Sequence, residues 1–116
     1  MVVALILFGI SALGGVVLAA IRLRGTDIPP TGLALGHGAV AAAGLVALAM
    51  AVMNATVPPQ ARTALIGFVI AALGGFTLFS FHLRRKALPI PLVLIHGLVA
   101  VISFIILGLA VLSLNH

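Results

Sequence analysis

The sequence contains no cysteine, which excludes disulfides, thiolate metal centres, iron–sulfur clusters and the C-x-x-C-H attachment of c-type haem. Its single acidic residue, Asp27, lies in a polar connection, so no span carries a carboxylate for metal ligation or proton coupling. Charge is scarce altogether: 6% of the 116 residues are charged, and six Lys and Arg are too few for a phosphate-binding face despite a pI near 12.0. No nucleic-acid partner is expected. What the chain has instead is apolar length, with 64% hydrophobic residues and a mean hydropathy of +1.45. A chain of that composition belongs in a lipid bilayer, and its length leaves no room for a soluble catalytic domain.

The apolar runs predict transmembrane helices at about 2–21, 31–53, 63–81 and 92–114, each close to the roughly 20 residues a bilayer requires. The first run begins Met-Val-Val-Ala-Leu without a basic n-region, and reads as a span rather than a secretory signal. Pro29-Pro30, Pro58-Pro59 and the basic stretch Arg84-Arg85-Lys86 mark the connections. The expected fold class is an all-α membrane protein, a four-transmembrane-helix bundle forming a single membrane domain over 1–116.

The two halves are copies. Residues 4–24 match 64–84 at 12 of 21 positions with an offset of 60, including Ala12-Leu13-Gly14-Gly15 against Ala72-Leu73-Gly74-Gly75. Residues 30–54 match 89–113 at 10 of 25 with an offset of 59, including His37-Gly38 against His96-Gly97. The chain is therefore expected to be two tandem two-helix repeats, 1–57 and 58–116, in the same orientation about an axis along the membrane normal. Five of the six Lys and Arg fall in the two intra-repeat loops. The positive-inside rule places those loops in the cytoplasm and both termini outside, in a bacterial-type cytoplasmic membrane.

The duplication sets His37 and His96 at matching depths, roughly 10 Å into helices that sit diagonally in an up-down-up-down bundle. An ionisable side chain inside hydrocarbon marks a functional site by default. Gly14, Gly15, Gly74 and Gly75 fall in the same layer, where they would leave space for a flat macrocycle. Ala41 and Gly44, at i+4 and i+7 from His37, and Ala100 and Ser103, likewise from His96, keep the histidine faces small. The rival account is that these small residues only let helices approach, and that each imidazole bonds a neighbour's carbonyl or serine. Among ligands, one non-covalent haem b fits best, with His37 and His96 on its iron, since zinc or copper wants further ligands. A chlorophyll needs only one His for its magnesium. Arg22, Arg24, Arg84 and Arg85 cap the same end and are candidates for haem propionates, or else are topology signals and lipid contacts. His82 and His116 share no depth with the pair, and Asp27, Asn54, Arg62 and Asn115 read as solvated loop or end residues.

Four apolar helices with paired histidines in the segments His37-Gly38 and His96-Gly97, glycines on the neighbouring helices and Arg at one end resemble the small membrane b-type cytochromes, the cytochrome b561-like group in particular. The resemblance implies electron transfer, with quinone or other redox subunits as partners. That group commonly holds two haems on four core histidines, and this chain has two such residues. One haem, in a chain that works as a subunit of a larger respiratory or redox complex, is the resulting expectation, with homo- or hetero-oligomers both open. The alternatives are a cofactor-free accessory subunit that stabilises a membrane assembly, and, third, a small transporter.

Overall fold

The structure is a computed structural model that describes residues 1–54 and 56–114. The expectations for Asn115 and His116 lie outside the described residues. Inside hydrocarbon the backbone has no water to bond, so long apolar runs become helices. Among the described residues four form: α1 (Val2–Leu23), α2 (Thr31–Asn54), α3 (Pro59–Leu83) and α4 (Ile90–Ser113). All four are long and apolar enough to cross a bilayer, and the 46 Å long axis of the bundle suits a membrane of ~40–45 Å with its headgroups. The chain is a multi-pass membrane protein built as an all-α four-helix bundle.

Helix ends differ from the ends of the apolar runs, for a physical reason. Hydropathy marks what lipid can cover, whereas prolines set where the first turn starts. Pro58 is the N-cap of α3 with Pro59 opening the helix, so α3 begins at Pro59 instead of 63 and Arg62 is helical, not in a loop. Pro89 caps α4, which begins at Ile90 instead of 92. Asn54 also belongs to a helix, its Nδ2 donating to the Met50 carbonyl at 2.9 Å. At the other end, α1 and α3 close with the same motif. Thr26 N–H reaches the Ile21 carbonyl and Gly25 N–H that of Arg22; Lys86 and Arg85 repeat both bonds to Phe81 and His82.

Each helix packs on two neighbours, leaving α1/α3 and α2/α4 as the diagonals. The buried core consists of pairs that follow the repeat: Ala4 with Ala64, Phe8 with Phe68, and Leu48 with Leu107. Phe8 and Phe68 stack across the α1/α3 diagonal with ring centroids 3.6 Å apart and planes 2° from parallel. The long apolar side chains Leu13, Leu73 and Phe76 face outward, as lipid contact requires, Phe76 being 74% exposed.

The two basic loops are tied to each other. Arg22 Nε donates to the Leu88 carbonyl at 2.8 Å, and Leu88 N–H donates to the Asp27 carbonyl at 3.1 Å. The Asp27 carboxylate stands 4.0 Å from the Arg22 guanidinium but is 73% exposed, so that ion pair adds little. Arg22→Ala is expected to cost roughly 1.5–3 kcal/mol, the worth of a hydrogen bond from a charged donor. Asp27→Asn should stay within about 1 kcal/mol of the parent. Thermal unfolding in detergent, with amide exchange at Leu88, measures both.

Candidate functional site

His37 and His96 each stand six residues past the first residue of their helix (37 − 31 and 96 − 90), so the repeat delivers two imidazoles to one layer. Their ring centroids are 6.3 Å apart across the α2/α4 diagonal, with planes at 87°. Each ring is fixed through Nδ1. His37 Nδ1 lies 2.7 Å from the Ser11 carbonyl oxygen, and His96 Nδ1 lies 2.8 Å from that of Ala71. A carbonyl can only accept, so both Nδ1 atoms carry the proton and donate. In the neutral imidazole this leaves Nε2 with a lone pair, and among the described residues neither Nε2 has a hydrogen-bond partner. Ser11 adds a second tie in the first repeat: its hydroxyl accepts from His37 Nδ1 at 3.1 Å and donates to the His37 carbonyl at 3.0 Å.

The glycine pairs stand directly against the imidazoles. A Cβ on Gly15 would lie 2.9 Å from His37 Cε1, and one on Gly75 would lie 3.2 Å from His96 Cε1. Gly14 and Gly74 are less demanding, with nearest contacts of 3.6 and 3.5 Å to the same two histidines. The small residues further along are likewise used by protein. Gly44 receives the Phe8 ring, three of whose carbons would sit 3.2 Å from a Cβ there. Ser103 is buried, donates to the Val99 carbonyl at 2.8 Å and fits against Gly67. Ala41 and Ala100 are half-buried. Gly44 and Ser103 thus take part in helix packing, Gly44 against Phe8 and Ser103 against Gly67.

The basic residues divide by partner. Arg22 is committed to Leu88, and Arg84 folds back on α3, bonding the Ser80 carbonyl and hydroxyl at 3.2 and 3.1 Å with its guanidinium 4.5 Å from the Phe81 ring centre. Neither is turned towards the imidazole layer. Arg24 is exposed, and Arg85 borders a separate pocket beside His82. His82 lies in the last turn of α3, where it is buried and stacked at 5.5 Å on Phe79.

A groove of about 280 Å³ between α1 and α2 runs from exposed Ile10, Gly32 and Gly36 inward to Ser11, Gly14 and His37. Ser11 was not legible as a site residue from composition, although its spacing carried a signal. It precedes Gly15 by four residues and so shares its helix face. Among the described residues no three His, Cys, Asp or Glu side chains gather as a protein-only metal cage. Among the described residues the donor set is the two imidazoles, one from each repeat. No protein-family model matches the chain, and no curated protein or solved structure matches it either.

Proposed function

We propose that this protein is a membrane b-type cytochrome holding one haem b between His37 and His96, transferring single electrons as a subunit of a larger redox complex. The observation that carries the reading is the pair of imidazoles at 6.3 Å, each locked by an Nδ1 donor bond that keeps Nε2 available. His37 and His96 would hold the group through Nε2, the nitrogen that each Nδ1 bond leaves with a lone pair. Two donors leave most of a metal's coordination positions empty, so the rest must come with the ligand, as a macrocycle's nitrogens do. The donor set therefore suits the group.

When bound, haem b supplies an iron that accepts and returns one electron. The chain's own residues do the rest. The carbonyls of Ser11 and Ala71 orient the rings, fix their tautomer and raise the basicity of Nε2. The Phe8–Phe68 stack and its apolar surroundings keep water from the layer on the side of the chain termini. At the opposite end, that of the two basic loops, exposed Arg24 suits a propionate, whereas Arg22 and Arg84 bond Leu88 and Ser80. The positive-inside rule supports a bacterial-type cytoplasmic membrane with the two basic loops in the cytoplasm and both termini outside. Quinone or other redox subunits are the partners this reading calls for.

A second reading is favoured by the same Nδ1 bonds. They join α2 to α1 and α4 to α3, a common use of polar side chains between membrane helices, and would serve a cofactor-free accessory subunit equally well. Expression with ample haem supply, followed by a reduced-minus-oxidised spectrum of the purified protein, separates the two. The cytochrome gives a sharp b-type α band at one haem per chain, whereas a featureless spectrum leaves the accessory subunit.

A further inference from the structure

Where the end of α3 meets the start of α2, a pocket of about 430 Å³ is lined by Ile28, Thr31, His82, Leu83 and Arg85. We infer that it binds the phosphate of an anionic membrane lipid, with Arg85, His82 and Thr31 as its polar wall. This goes beyond the haem reading and does not depend on it.

The first observation is His82. It is 8% exposed, and neither ring nitrogen has a partner. Buried polar atoms are nearly always satisfied, and one that is not calls for a ligand or water. The repeat explains how the vacancy of partners arises. His82 is the counterpart of Arg22, whose long side chain reaches the opposite loop at Leu88, and Leu88 is in turn the counterpart of Ile28 (88 − 28 = 60). The shorter imidazole makes no such bond to its own opposite loop, and the pocket lies between them.

The second observation is Arg85. It has φ 54°, the left-handed conformation that closes α3, where the first repeat uses Gly25 at φ 110°. That conformation is unfavourable for any side chain but glycine's hydrogen. The second repeat thus carries an arginine at a place where the fold favours glycine, and that arginine lines the pocket. Strain of this kind is retained where a side chain is used.

The chemistry of the wall is one-sided. Arg85, His82 and Thr31 are its polar lining residues, and Thr31 opens α2, whose first N–H groups and dipole favour an anion. The one acid, Asp27, is not part of the wall and lies towards Arg22. An oxyanion is the matching ligand. A lipid source is favoured over a soluble one by the apolar flank: Leu83, 71% exposed, stands seven residues from exposed Phe76 on the same face of α3, a track for an acyl chain.

The test uses purified protein in neutral detergent, titrated separately with phosphatidylglycerol, phosphatidylcholine and inorganic phosphate, and read by thermal midpoint and by native mass spectrometry. Phosphatidylglycerol should be retained at one per chain and raise the midpoint, with phosphatidylcholine and inorganic phosphate much weaker. Arg85→Gly should melt no lower than the parent without lipid, because it restores the residue suited to that backbone, yet bind phosphatidylglycerol about tenfold more weakly. His82→Leu should weaken it similarly. Unchanged phosphatidylglycerol binding by Arg85→Gly overturns the site. Stabilisation by inorganic phosphate but not by phosphatidylglycerol overturns the lipid as its occupant.

Discussion

Replacing His37 with alanine should abolish the b-type α band, and replacing His96 should do the same, with the protein still folded in both cases. The loss is complete, not partial, because among the described residues the pair contributes the only two imidazoles in the layer, with no Cys, Asp or Glu in the core to take over. Folding survives because an interhelical hydrogen bond in a membrane is worth only roughly 0.6 kcal/mol on average. The two variants should nonetheless differ in stability. His37 sits in a closed set of three bonds with Ser11, whereas His96 has the single bond to Ala71, so His37→Ala should unfold at the lower temperature. Ser11→Ala recreates in the first repeat what Ala71 already provides in the second, and should keep the α band intact. Haem stoichiometry and far-ultraviolet circular dichroism on the same preparations check the set. A full α band in His96→Ala would remove the shared-ligand model.

The second large effect concerns Gly15. Gly15→Ala is expected to destabilise the bundle by about 1–3 kcal/mol, the usual penalty of overpacking. Its Cβ would stand 2.9 Å from His37 Cε1 and 3.4 Å from Nδ1, and the ring cannot swing aside without breaking its bond to the Ser11 carbonyl. Gly75→Ala should be milder, since the nearest approach to His96 is 3.2 Å and the next 3.8 Å. Gly14→Ala and Gly74→Ala meet nothing closer than ordinary van der Waals contact and should stay within about 0.5 kcal/mol of the parent. The order Gly15, then Gly75, then the other two distinguishes a berth for the imidazoles from a surface that simply lines a macrocycle, for which neighbouring glycines would rank alike. Thermal unfolding in detergent gives the ranking, and loss of the α band should follow it.

Much of this was readable beforehand because it rests on composition and repetition. Lipid imposes helices on apolar runs, and a duplicated two-helix unit in one orientation forces equivalent residues to equal depth. Hence the diagonal placement of α2 and α4 and the meeting of His37 with His96 follow from spacing alone. The occupant of each glycine did not follow, since it depends on the rotamer of a residue on another helix: His37 beside Gly15, Phe8 beside Gly44. The fate of His82 was hidden for a similar reason. Its place near the end of α3 is legible from spacing, but its burial beside Phe79 depends on how the neighbouring elements pack there.

Span number, bundle class, two-fold repetition and the shared depth of the two imidazoles were settled by the order of residues, because hydrophobic length and chain duplication act before any side chain chooses a rotamer. Which nitrogen each imidazole keeps open, and what His82 and Arg85 enclose, were decided by tertiary structure, because hydrogen bonds depend on where another helix happens to place a carbonyl.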